Sequence, residues 1–128
     1  MTEPTIAARL QHKMLCVSTD EPFVGALRGA LPPDWQMQLT LDLDALGSFD
    51  QLLLYRFVFL DLDCEAPGFD AQDVLRKIRM EWMLNVPVFC FGGTPDQQDE
   101  ARLNRADRFF RPDEAGERLQ QFCRQFGW

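Results

Sequence analysis

Phe57-Val58-Phe59-Leu60 runs straight into Asp61-Leu62-Asp63, so an unbroken apolar run ends on two carboxylates. Four apolar residues in a row have no polar side. A strand built from them must be covered on both faces, as in the middle of a parallel sheet. Val86-Pro87-Val88-Phe89-Cys90-Phe91 has the same character. Between the two runs, residues 70–83 read as a helix. Asp70 suits its N-cap, and Val74, Leu75, Ile78 and Trp82 recur at helical spacing as the buried stripe. Arg76, Lys77 and Arg79 are assigned to its wet side. Strand, helix, strand in this order makes a parallel unit with a right-handed crossover.

The alternation continues in both directions. Towards the N-terminus, Met14-Leu15-Cys16-Val17 is a short buried strand ending near Ser18. Pro22 suits the first turn of the helix that follows, and Phe23, Val24, Leu27 and Leu31 give that helix one apolar face before Pro32-Pro33 stops it. In residues 35–41, Trp35, Met37, Leu39 and Leu41 alternate with Gln36, Gln38 and Thr40, the period-two pattern of an edge strand. Residues 44–54 read as a short helix interrupted at Gly47. Towards the C-terminus come Gly92-Gly93, a polar helix over 95–104, a brief strand at 108–110, and a last helix over 113–126 with Leu119, Phe122, Cys123 and Phe126 on one face. Five strands alternating with about five helices predict an α/β three-layer sandwich on a parallel sheet. In the flavodoxin-like (βα)5 arrangement the strand order is 2-1-3-4-5, which puts the alternating second strand at an edge. Residues 1–12 are expected to be an N-terminal extension and 13–128 the domain.

Composition narrows the function. The 128 residues carry a net charge of −7, and an acidic surface repels phosphates, so a nucleic-acid role is not expected. No apolar run approaches the roughly 20 residues of a membrane span, and residues 1–11 lack the apolar core of a signal peptide. Cys16, Cys64, Cys90 and Cys123 form no CxxC pair and read as reduced thiols of a cytoplasmic protein.

In a sheet of this kind, ligands bind at the carboxyl ends of the strands near the point where the strand order reverses. Those ends carry Ser18 to Glu21 with Pro22, Asp61 to Glu65, Gly92-Gly93-Thr94 and Arg111-Pro112. Carboxylates converging on one mouth repel each other unless a cation, a proton or water intervenes. The natural occupant is a hard divalent ion with oxygen ligands, Mg2+ in practice.

In the order and spacing of these residues, the chain resembles the receiver domain of two-component response regulators. Asp20-Glu21-Pro22 is similar to the acidic opening of many receivers. The run Phe57 to Asp61 is similar to their third strand, which ends in the phosphoacceptor aspartate. Pro67-Gly68-Phe69-Asp70 with the helix after it, Val86-Pro87-Val88, and Arg111-Pro112 in the place of the family's Lys-Pro complete the likeness. The resemblance implies that Asp61 is the phosphoacceptor and that Asp20 and Asp61 contact Mg2+. It implies phosphoryl transfer from a partner histidine, with metal and lysine neutralising the phosphoryl oxygens. The remaining pocket residues are Thr19, Asp63, Gly92, Arg111 and Pro112.

Departures from the family pattern fall on that pocket. Thr19 replaces one acid, Gly92 stands where the family has Thr or Ser, and Arg111 offers a planar fork in place of a compact ammonium. Thr94 is the nearest substitute hydroxyl. Arg108 takes the place of the family's switching aromatic, and the loop after Asp61 is longer than usual. The expectation is therefore a divergent or pseudo-receiver. Such a chain is a non-enzymatic protein–protein interaction module that binds Mg2+ weakly or not at all and docks a sensor histidine kinase, an output protein or a second copy of itself. Arginines crowd the last quarter of the chain, and Arg105, Arg108 and Arg118 are the candidate interface residues. Three alternatives stay open. The first is a working receiver that takes phosphate on Asp61. The second is a haloacid dehalogenase-like phosphatase using Asp61 as nucleophile and Asp63 as general acid/base. The third is a flavin-binding module, whose phosphate loop is not evident here.

Overall fold

A computed structural model of the chain describes residues 11–127. The expected extension is met only at Gln11 and His12, because residues 1–10 lie outside the described residues, and His12 already opens the first strand. In chain order the elements are β1 (His12–Val17), α1 (Glu21–Ala30), β2 (Trp35–Leu39), a 3-10 turn (Leu43–Leu46), α2 (Phe49–Leu52) and β3 (Val58–Asp61). They continue with α3 (Ala71–Arg76), β4 (Val88–Phe91), α4 (Pro95–Leu103), β5 (Arg108–Phe110) and α5 (Ala115–Gln125). All neighbouring strands pair in parallel, and the sheet order is β2-β1-β3-β4-β5. Fold class and strand order are those the sequence predicts.

Both faces of the central strands are buried, and the two faces differ in chemistry. Met14, Cys16, Phe57, Phe59, Phe89 and Phe91 point to one side, where α1 and α5 cover them with Phe23, Leu27, Leu119 and Phe122. Leu15, Val17, Val58, Leu60, Val88 and Cys90 point to the other, under Leu52, Val74, Leu75, Ile78 and Ala101. Strand alternation therefore sends the phenylalanines of β3 and β4 to one layer and the smaller side chains to the other. Phe89 and Phe122 stack with centroids 4.0 Å apart at the middle of the aromatic layer. At the edge, β2 buries Trp35 and exposes Gln36 and Gln38, as its alternation requires. Gly47, at φ +114, breaks the segment after β2 into the 3-10 turn and α2.

Helix α3 departs from expectation. Its last turn widens into a π-helix at Lys77–Glu81, and Arg79 is buried, not wet. Its Nε donates to Arg105 O at 3.0 Å, Nη1 to Leu84 O and Val86 O at 2.8 and 2.9 Å, and Nη2 to Asp107 Oδ2 at 2.8 Å. Asp107 Oδ2 also accepts from Val88 N at 2.7 Å. The guanidinium thus ties the end of α3 to the entries of β4 and β5. Among the described residues, no helix is long and apolar enough to cross a membrane.

Candidate functional site

Parallel register builds the site. Val17 pairs with Leu60, so the next residues, Ser18 and Asp61, emerge side by side at the carboxyl rim. Asp61 is only 4% exposed. Its Oδ2 accepts from Ser18 Oγ at 2.7 Å and its Oδ1 from Asp63 N at 2.9 Å. Burial is the main force raising the Asp61 carboxyl above the usual range, with smaller pushes from the charges of Asp63 and Asp20. The two hydrogen bonds pull the other way without reversing the direction.

Ser18 stands at the rim in the sequence reading, but without a role in the pocket. Its hydroxyl donates to Asp61 while accepting from Asp20 N at 3.0 Å, so it locks strand end, carboxylate and helix entry together. Extending the strand pairing by one residue past Val17 sets it beside Asp61 and would have given it that role. Asp20 caps α1, its Oδ2 accepting from Phe23 N at 3.2 Å. Thr19 turns its hydroxyl to Cys64 Sγ at 3.4 Å.

The expected pocket residues divide between two cavities. Thr19, Asp20, Asp61, Asp63 and Pro112 line one of about 380 Å3, together with Phe23, Cys64 and Glu65. Among these described lining residues there are four carboxylates and no Lys, Arg or His. Gly92 and Arg111 belong to a neighbouring cavity of about 590 Å3, which Asp63 and Pro112 also border. Arg111 is not aimed at Asp61. Its Nε donates to Asp113 Oδ1 at 3.1 Å, its side chain is 76% exposed, and its backbone N–H is taken by Glu114. Thr94 does not supply the missing hydroxyl either. It is the N-cap of α4, in a capping box with Gln97. Among the described residues, no three His, Cys, Asp or Glu side chains are gathered closely enough to hold a metal ion.

Gly92 is held in the left-handed region at φ +73, with Asp63 against it. A Cβ added there would overlap Asp63 Oδ2 and lie 2.7 Å from its Cγ. Asp63 Oδ1 accepts from Gly93 N at 2.9 Å. The loop after β3 and the loop after β4 therefore touch through a carboxylate.

Of the three expected interface arginines, two are engaged within the domain. Arg105 donates to Arg79 O at 2.8 Å, and Arg118 lies 4.4 Å from the Phe110 ring centroid and donates to Glu114. Arg108 is exposed and makes a looser contact, its guanidinium 5.2 Å from the Phe110 ring centroid.

No family model matches the chain, and no curated protein matches it in sequence. Solved structures do match in fold. A response regulator receiver domain from Bermanella marisrubri is 19% identical, with TM-score 0.66 over 89% of this chain and 96% of that one. The phosphorylated cyanobacterial phytochrome response regulator RcpA is 12% identical, with TM-score 0.71 over 91% and 94%. The Mn2+-bound response regulator Rcp1 is 14% identical, with TM-score 0.64 over 88% and 91%. The strand order, the buried carboxylate at the end of the third strand and these similarities lead to one conclusion: the chain has the fold of the response regulator receiver domains.

Proposed function

We propose that this chain is a receiver-fold interaction module of two-component signalling whose phosphoacceptor pocket has lost the means to hold a phosphoryl group. In this reading it is a non-enzymatic, cytoplasmic protein. It acts by docking a sensor histidine kinase, an output protein or a second copy of itself.

The observation that carries the reading is the cavity at Asp61, where Asp20, Asp61, Asp63 and Glu65 meet with no basic residue among the described lining. A phosphoryl group adds roughly −1.5 to −2 of charge. Unit charges about 4 Å apart near a protein surface repel by about 4 kcal/mol. Some cation must offset that, and the side chain standing in the family's lysine position pairs with Asp113 instead.

Mg2+ would supply the missing charge by neutralising phosphoryl oxygens, and Asp20 and Asp61 are the residues that would hold it. The donor set fits such an ion poorly. Thr19 replaces an acid and faces Cys64, and Asp20 Oδ2 is already committed to capping α1. The reading therefore has Mg2+ bound weakly or not at all.

One observation favours a working receiver. Asp61 and Asp20 share an open cavity at the strand end, where the family keeps its phosphoacceptor. The phosphatase reading has less support, because Asp61-Leu62-Asp63 ends the third strand here, whereas that family's motif ends the first.

The test is incubation with acetyl phosphate and Mg2+, read by intact mass. Substoichiometric, short-lived modification is expected. A stable, stoichiometric adduct on Asp61 would establish the working receiver, and phosphomonoester turnover abolished by Asp63→Asn would establish the phosphatase. Sedimentation at increasing concentration tests the second copy as partner. A monomer throughout, unaffected by Arg108→Ala, removes it.

A further inference from the structure

Asp63 and Gly92 are complementary in shape. The backbone at Gly92 and Gly93 is left-handed at both residues, φ +73 and +86, a conformation that glycine adopts without steric cost. Backbone N–H groups at such turns suit an anion, and Gly93 N–H is the one open to it here, since Gly92 N–H goes to Phe110 O at 3.0 Å and Thr94 N–H to Gln97 Oε1 at 2.7 Å. Here the anion is part of the chain. Asp63 Oδ1 takes the Gly93 N–H at 2.9 Å, and the rest of the carboxylate fills the volume that any side chain at position 92 would need. At Gly93 an added Cβ would meet Leu62 Cβ and Cδ1 at 2.9 Å, so the two loops are in contact along two successive residues. Asp63 is exposed, so burial does not force its carboxylate into this place. The charge-assisted hydrogen bond and the fit to a glycine backbone hold it there.

We infer that Asp63 is an internal anion clip that decides whether the rim beside Asp61 can receive an external anion. It occupies a backbone donor at that rim and joins the loop after β3 to the loop after β4. A phosphoryl group arriving on Asp61 meets both a satisfied donor and a fixed negative charge. Asp63 is thus a positioning and specificity-determining residue for the site, and Gly92 is its necessary counterpart. The exclusion of phosphate by the clip rests on the proposed degenerate-pocket reading; the clip itself does not.

Two measurements on the full chain separate these parts. The first is amide hydrogen exchange at Gly93 in wild type, Asp63→Ala and Asp63→Asn. Removing a hydrogen bond to a charged acceptor forfeits about 1.5–3 kcal/mol, which converts to roughly 10- to 150-fold faster exchange in Asp63→Ala. Asp63→Asn keeps an acceptor oxygen but not the charge, and it should fall between the two. Unchanged exchange in Asp63→Ala overturns the clip. The second is the acetyl phosphate reaction with Mg2+ on Asp63→Ala and on Asp63→Ala combined with Gly92→Ser. Both should show more Asp61 adduct than wild type, the double variant most. Adduct held at the wild-type level while Gly93 is released overturns the role in exclusion. A wild-type chain that is already fully modified overturns the degenerate-pocket reading and leaves the clip to be judged by exchange alone.

Discussion

Replacing Asp61 with Asn should stabilise the protein at neutral pH. The side chain keeps its shape, so Oδ1 can still accept from Asp63 N, now at 2.9 Å from the carboxylate. The new Nδ2 faces Ser18 Oγ, which has a second lone pair to offer beside the one accepting from Asp20 N. The Ser18 O–H, which donates to Asp61 Oδ2 in the wild type, loses that acceptor. The loss is the charge assistance in two hydrogen bonds and the acceptor of the Ser18 hydroxyl, about 1–2 kcal/mol. The gain is relief from holding a charge that is 4% exposed and faces Asp63 and Asp20. The direction of the Asp61 carboxyl settles which effect wins. Folding raises it, with burial as the largest cause, so the fold favours the neutral form over the charged one, and a neutral amide shares that preference. A net gain of about 0.5–2 kcal/mol is expected at pH 7, in the range of other substitutions that trade function for stability. The contribution of wild-type Asp61 is fully present below the ordinary carboxylate value of about 3.9 and is lost as pH rises through the raised folded value. The advantage of Asp61→Asn should therefore shrink as pH falls towards that value. Urea unfolding at pH 7 and near pH 4 measures it. A variant less stable than wild type at pH 7, or an advantage independent of pH, would refute the reasoning.

Arg79→Ala should cost about 3–5 kcal/mol in the same urea assay, because it strands the carbonyls of Leu84, Val86 and Arg105 and takes a buried cation from Asp107; a loss below about 1 kcal/mol would show that the network carries little. In the native protein a thiol reagent at pH 8 should label Cys64 alone, since burial pushes Cys16, Cys90 and Cys123 up to about 12, whereas Cys64 is half-buried at the mouth; mass mapping of the labelled positions checks this. Arg111→Ala should change stability by under about 0.5 kcal/mol and leave the yield of acetyl phosphate modification unaltered, because its guanidinium faces Asp113 and solvent.

The fold was legible because hydrophobic periodicity is a direct record of burial. The unbroken runs ending at Leu60 and Phe91 became the doubly covered strands β3 and β4, and the alternation of Trp35, Met37 and Leu39 became the edge strand. The carboxylates of Asp20 and Asp61 share one cavity because a parallel sheet gathers its strand ends at one rim. Other features depended on where side chains point, which spacing records less directly. Arg79 was placed on the wet side by its charge, although it stands four residues after Leu75 and so shares the buried stripe. Arg111 sits at the right place in the chain but pairs with a carboxylate two residues away, a local competition that the positions of motifs do not reveal. Ser18 looked like an ordinary strand end until register set it beside Asp61. The contact between Asp63 and Gly92 joins residues far apart in sequence, and nothing in either local pattern announces it.

The central feature is a carboxylate-rich, cation-poor mouth at Asp61. Fluorine NMR of the protein with beryllofluoride and excess Mg2+ tests it most directly, because this phosphoryl analogue binds only where the charge of a phosphoryl group is accommodated. The expected spectrum shows free beryllofluoride alone in wild type and a bound signal only after the Asp63 carboxylate is removed. A saturable bound signal in wild type that disappears in Asp61→Asn would contradict the account.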